Sequence, residues 1–407
     1  MTPQQYLSLA LDPPDPSAVV AALTTLEEVG AVVTLEEDEE GDEGEEEVEG
    51  DDDDEEVEDE EEVPFESKTT ANSTKKKTSK RERRNRIVGR TRIEPLGFLL
   101  AQMPADVRIG KVLIMASIMQ CLRPALIIAA SLAFKTPFVT PVEKRTEARL
   151  ARKEYLIDDE GKQLRSDHLS IVRAYEAFSA KLASKEKSSS LRRWCRMKFL
   201  SYSTLMSMKT TIREFEGYLT NMKFLTKFNY DQVMTKHAHR PFVVLAALAS
   251  GLWPNVATIT RSSSTAGSLP VIAVKNRVAA IHPSSINQGI ATERLLLQTS
   301  CRTNGFLCYH DMMQTSKCYL RDTSIVSSTS ILLLCGNGRD AAVTFGRQHV
   351  VVNGWIRVHV TSKAAVLITR LRKILNSFLL EKVANPTMEE SKEYRELTKM
   401  MTRLLEV

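Results

Sequence analysis

Apolar positions in the middle of the chain recur at the spacing of helices. PLGFLLAQ (residues 95–102) and residues 107–119 carry them at i, i+3, i+4 and i+7, with Pro104 between the two segments. Residues 124–134 are apolar nearly all round, the mark of a helix buried on every side. Two further helices are expected over 166–180 and 191–219, joined by a Lys/Ser-rich loop, and another runs from Phe242 to Gly251. The period then shortens. VIAV, RVAAI, FLCYHDMM, KCYLRD, SILLLCG and HVVVNGWIRVHV read as short β runs separated by Ser, Gly, Asn and Pro. Five or more strands over about 100 residues fit a small barrel. Residues 362–382 close the pattern as an amphipathic helix, with Leu367, Leu371, Ile374 and Phe378 on one face.

The N-terminal stretch is smaller. Pro13, Pro14 and Pro16 punctuate it, Asp15 or Ser17 is placed to cap the next helix, and Gly30 suits the position just past the helix end. A short strand-like exit, AVVTL, follows. Residues 36–62 then hold 22 acidic side chains in 27 positions and no Lys or Arg. Such a run repels itself and is expected to be disordered. Residues 75–92 reverse the sign, with ten basic residues and one acidic.

This insert changes how the charge is read. The formal net charge of the 407 residues is +3, with 55 Lys and Arg against 52 Asp and Glu. Without residues 36–62 the balance is 55 against 30, or +25 over 380 residues. A body this basic favours polyanions, because each cation set against a phosphate releases condensed counterions. The six cysteines form no CxxC pair and no metal-type grouping with histidine. No basic-then-apolar leader follows Met1, and the apolar stretch near 112–133 is broken by Gln120, Arg123 and Pro124. The expectation is an intracellular, reduced protein, cytoplasmic or nuclear.

Catalytic motifs are missing from the string. ADVRIGKV has Ala105 and Val112 where a phosphate loop needs Gly and Ser/Thr, and YLIDDE lacks such a loop to work with. KHAHRP holds two histidines without a matching ligand cluster. In VAAIHPSSIN, His282 and Ser284 flank Pro283, so their side chains are expected to point in different directions. No third group to orient the imidazole is indicated.

Several strings together resemble one arrangement. LALDPP and AVVAALTTLEEVGAV resemble the winged-helix unit that follows the second motor domain of DEAH/RHA-type RNA helicases. EPLGFLLAQMPADVRIGKVLIMASIMQCLRPALIIAASLAFKTPFV is similar to the start of their helical ratchet (HA2) domain, and RSDHLSIVRAYEAF and CRMKFLSYSTL to its later helices. ASGLWPNVATI, VAAIHPSSIN, LCYHDMMQTSKCYLRDTSIVSSTSILLLCG and VNGWIRV resemble the OB-fold that follows. The family carries two RecA-like motor domains, with the phosphate loop and DEAH box, before this region. The chain therefore reads as the C-terminal part of such a helicase.

The resemblance implies an α+β multidomain chain. Residues 1–35 form part of a degenerate winged helix, 36–92 a disordered acidic then basic insert, 93–240 the helical ratchet bundle, 241–360 the OB-fold β-barrel, and 361–407 a helical extension. It implies a role in ATP-dependent 3′-to-5′ RNA unwinding, guiding single-stranded RNA, with no catalytic, metal or cofactor site in this chain. ATP and Mg belong to the motor of the full-length helicase. The partners expected are single-stranded RNA, own or separate RecA motor domains, and proteins bound by the acidic tract, with no membrane. In the resembled proteins the HPSS segment faces the RNA tunnel, which nominates His282, Ser284, Ser285, Tyr309, Lys317 and Arg321 as RNA-binding residues. Tyr309 is either a stacking platform or core. Asp167 and His168 either knit the bundle or touch RNA. The alternative function is a stand-alone RNA- or protein-interaction module that uses the acidic tract.

Overall fold

The computed structural model describes residues 2–34, 91–157, 165–184, 187–260, 271–274, 277–288, 304–315, 317–336, 344–346, 349–388 and 391–406. The acidic run and most of the basic run lie outside these residues. The described residues fall into two compact units: those within 2–24, 32–34 and 91–92, and those within 25–31 and 93–406.

In the first unit, α1 spans Pro3–Leu7, with a capping box between Thr2 and Gln5. β1 (Val32–Thr34) and β2 (Thr91–Ile93) pair in a two-stranded sheet. Helix α2 (Pro16–Val29), whose residues from Thr25 on belong to the second unit, starts where Asp15 accepts the Ser17 N–H at 2.7 Å. It ends at Gly30, whose φ of +83° is the left-handed terminator anticipated there.

The second unit holds the helical bundle and the barrel. Its first helices are α3 (Pro95–Ala101), α4 (Val107–Ile118) and α5 (Leu122–Ala133). Next come α6 (Arg145–Lys153), α7 (Asp167–Ala183), α8 (Ser188–Met197) and α9 (Tyr202–Asn221). The short α10 (Tyr230–Thr235) leads to α11 (Pro241–Leu252). The single helix expected over 191–219 is thus two, broken at Phe199, whose φ of +52° cannot continue a right-handed turn. α11 is buried from Val243 to Leu252 without interruption. It crosses α4 at Gly251, where a Cβ would fall 2.5 Å from the Val112 Cα and backbone N. Only glycine permits that approach.

β3 (Val256–Thr260), β4 (Val271–Val274), β5 (Arg277–Ile281), β6 (Asn304–Gln314) and β7 (Cys318–Val326) close a barrel in the order β3-β4-β5-β7-β6. The closing pair, β5 with β7, is parallel, and the other pairs are antiparallel. Ala257, Ile259, Leu307, Tyr309 and Leu320 are among the residues that fill it.

SILLLCG is a correction. It is not a strand but helix α12 (Ser328–Leu334), because Ser327 Oγ accepts the Ser330 N–H at 3.1 Å and starts a turn. A short apolar run fits a buried helix as well as a strand. HVVVNGWIRVHV does form two strands, β9 (His349–Val352) and β10 (Ile356–His359), turned by Asn353 and Gly354, both at positive φ. They pair with β8 (Thr344–Gly346) in a separate three-stranded sheet. α13 (Ser362–Ala384) and α14 (Lys392–Glu406) finish the chain. Arg372 of α13 is buried and donates to the Leu332 carbonyl at 2.6 Å and to the Cys335 carbonyl, satisfying the end of α12. No helix among the described residues is long and apolar enough to cross a membrane.

Candidate nucleic-acid interface

The VAAIHPSSIN segment leaves β5 and meets helix α7 at one buried carboxylate. Asp167, 1% exposed, sits in the first turn of α7, whose N-cap is Ser166. Its Oδ1 accepts from Arg152 Nη2 at 2.8 Å and from the Ile286 N–H at 3.0 Å. Its Oδ2 accepts from Ser285 Oγ at 2.5 Å and from the Thr323 N–H at 2.9 Å. Four donors fill the four principal sites of one carboxylate, which is how a buried charge is kept in place. Asn287 extends the network, donating to the Thr323 hydroxyl at 2.9 Å and its carbonyl at 3.2 Å. On the next residue of β7, the Ser324 hydroxyl lies 2.6 Å from Ser166 Oγ and 2.7 Å from His168 Nδ1. Burial, reinforced by the His310 and Arg152 charges, holds His168 down at about 3. Asp167 and His168 therefore knit bundle to barrel.

Arg152 belongs to both the network and the surface. Besides Asp167, it donates to the Ser284 carbonyl at 2.8 Å, and its guanidinium lies 4.4 Å from the Phe138 ring centre. Beside it opens a cavity of about 360 Å³ between α6 and the Pro283–Ser285 turn. Arg145, Arg149, Arg152, Lys153 and Arg165 line it, and no carboxylate is among the described lining residues. Among the described carboxylates of the adjoining segment, Glu147 lies 3.9 Å from Lys144 and Glu154 lies 2.6 Å from Lys198. Among its described lining residues the groove is therefore positive, with Arg152, one of the five cations, paired to a buried carboxylate in the network.

The six nominated residues divide. Ser284 is exposed and lines the groove, and Ser285 lines it too, but its hydroxyl is committed to Asp167 and the side chain is 6% exposed. His282 donates its N–H to the Leu320 carbonyl at 2.9 Å, at the end of the β5–β7 pairing, and Arg321 follows directly on β7. Burial, then the Arg321 charge, lowers the His282 pKa. Lys317 is exposed at the β6–β7 turn, four residues and about 13 Å of strand from Arg321. Tyr309 is 4% exposed in the barrel core, which leaves no open ring face for stacking.

His282 and Ser284 depart from expectation. The Ser284 hydroxyl lies 2.7 Å from His282 Nδ1, and the Ser284 N–H donates to the same nitrogen at 3.1 Å. Pro283 turns the chain so that the side chains meet. The cationic helix α6 adds residues that no motif points to: its Arg145, Arg149, Arg152 and Lys153 stand at i, i+4, i+7 and i+8, a spacing that marks one helical face.

Residues 106–208 match the helicase-associated domain (HA2), ratchet-like; 244–338 match an oligonucleotide/oligosaccharide-binding (OB)-fold; 348–407 match the C-terminal domain in RNA helicases. The chain belongs to the C-terminal region of the DEAH-type RNA helicase family. The putative ATP-dependent RNA helicase DHX57 of Mus musculus is 31% identical over 323 residues, which is 73% of this chain and 23% of that protein. The ATP-dependent RNA helicase DHX29 of Homo sapiens is 29% identical over 77% of this chain and 22% of its own length. The ATP-dependent DNA/RNA helicase DHX36 of Bos taurus is 32% identical over 72% of this chain and 28% of its own. The chain thus spans about a quarter of the length of the relatives it matches. Within this helicase C-terminal region, the groove faces the ratchet-like domain on one side, through α6, and the OB-fold on the other, through the Pro-Ser-Ser turn.

Proposed function

We propose that this region holds single-stranded RNA by its phosphate backbone in the groove between α6 and the Pro283–Ser285 turn. It serves there as the accessory part of an ATP-dependent, 3′-to-5′ DEAH-type helicase and guides the strand across the motor. The supporting observation is the lining itself: five basic side chains, no described carboxylate, and a turn pinned in position by Asp167. Phosphate contacts fix the path of a strand without reading its bases, as an unwinding enzyme requires. Residues 1–35 are assigned to the winged helix, and ATP turnover to RecA-like motor domains, own or separate.

The test is the salt dependence of RNA binding. Each phosphate contact to a single strand is worth about 0.7 in the slope of log affinity against log salt. Arg149→Ala and Lys153→Ala should each lower the slope by that amount, equally for poly-U and a mixed sequence. Unchanged slopes in two correctly folded variants would refute the groove.

A further inference from the structure

The turn at His282–Ser284 fixes the direction of a hydroxyl. The Ser284 N–H donates to His282 Nδ1, so that nitrogen carries a lone pair and the ring proton resides on Nε2. The Ser284 hydroxyl is 2.7 Å from the same lone pair, and a nitrogen acceptor at that distance takes the hydroxyl proton. Ser284 Oγ is then left with lone pairs only. It is exposed and on the groove wall. The depressed His282 pKa agrees, since burial and the neighbouring Arg321 both disfavour the imidazolium that would remove the acceptor.

An acceptor-only oxygen is the wrong partner for a phosphate, which is itself all acceptors. It is the right partner for a hydroxyl. We propose that Ser284 accepts a hydrogen bond from a ribose 2′-hydroxyl and thereby makes the groove prefer RNA to DNA, with His282 as the positioning residue that holds the serine proton away. The proposal rests on the groove reading above and adds sugar selectivity to it: the arginines and lysine hold either nucleic acid, and Ser284 distinguishes them. The 2′-hydroxyl is the group by which a protein tells the two backbones apart.

The experiment compares the full chain's affinity, by fluorescence anisotropy, for a uridine oligonucleotide, its deoxyuridine counterpart and its 2′-O-methyl counterpart. The last keeps the sugar oxygen but has no hydroxyl proton. The native protein should bind the ribose form about fivefold more tightly than the other two, the worth of one neutral hydrogen bond. Ser284→Ala should bring ribose affinity down to the deoxyribose level and leave deoxyribose affinity unchanged. His282→Asn keeps a side-chain acceptor able to bond two residues on and should retain the preference, whereas His282→Ala should lose it. The proposal is overturned if Ser284→Ala weakens both sugars by the same factor, which would make the serine a phosphate donor. It is also overturned if the native protein binds the ribose and deoxyribose forms equally, or prefers the 2′-O-methyl form. Failure of the groove reading is separate, because it shows in the Arg149 and Lys153 salt slopes and not in the ratio between sugars.

Discussion

Asp167→Asn changes almost no volume and replaces one oxygen by a donor, so it isolates the charge and the acceptors at the bundle–barrel junction. In the native protein two donors converge on each carboxylate oxygen, at 2.5–3.0 Å. With an amide, one pair of donors faces an NH₂ group and has no acceptor, whichever way the amide is turned. The Arg152 side chain, 16% exposed, also loses its counter-charge. Hydrogen bonds to a charged acceptor contribute about 1.5–3 kcal/mol each, and removing one partner of a buried pair costs about 3–5 kcal/mol. The expected loss is therefore about 3–5 kcal/mol, read from urea unfolding with the buried Trp253 as fluorescent reporter. Two further readouts are specific to the proposed network. The Ile286 and Thr323 amide protons should exchange faster, and a double-mutant cycle with Arg152→Met should give a coupling of about 1–3 kcal/mol. A cost under about 1 kcal/mol, with additive single effects and unchanged exchange at both amides, would refute the reasoning.

Acid should act through His168. Its folded pKa of about 3 is below the ordinary 6.5, so its contribution is whole above pH 6.5 and is lost as pH falls from there towards 3. His168 alone should account for a loss of about 2 kcal/mol between pH 7 and pH 5, and His168→Gln should remove that share, leaving the slope due to His237, which burial also holds down at about 4. Gly251→Ala should cost about 1–3 kcal/mol or more in thermal unfolding, because the new Cβ meets the Val112 backbone. Gly217→Ala, in α9 with nothing within 4 Å, should stabilise by about 0.5–1 kcal/mol through helix propensity.

Much of this architecture was legible in periodicity alone. α4, α5 and α11 announced themselves by apolar spacing, whereas HVVVNGWIRVHV reads as one β run and its division at Asn353–Gly354 comes from the structure. The SILLLCG helix was not legible, since seven residues are too few for a period and Ser327 acts as a cap only in context. The break at Phe199 was also hidden, because a bulky aromatic at positive φ obeys no local preference and is held there by pairing with the 137–139 segment. At the site, family resemblance pointed to HPSS, but no spacing rule joins Asp167 to Ser285, which lies 118 residues away. The basic face of α6 is readable in RTEARLARK from its i, i+4, i+7 spacing, although the low apolar content of the segment gives no core-facing stripe to mark it. Tyr309 shows the converse problem: in an alternating strand, the inward or outward direction is set by register, and register comes from tertiary pairing.

The unbroken burial of α11 bears on how evolution can handle this region. The match to the OB-fold begins at residue 244, inside a helix whose every face is occupied from Val243 to Leu252. A recombination point placed at that sequence border would hand the barrel a naked hydrophobic rod and leave the ratchet helices with an empty slot along α4. The Asp167 network would be severed by the same cut. Descent should therefore have passed bundle and barrel on as one inseparable block, and swapping either with a relative should succeed only when α11 and the residues facing it travel together.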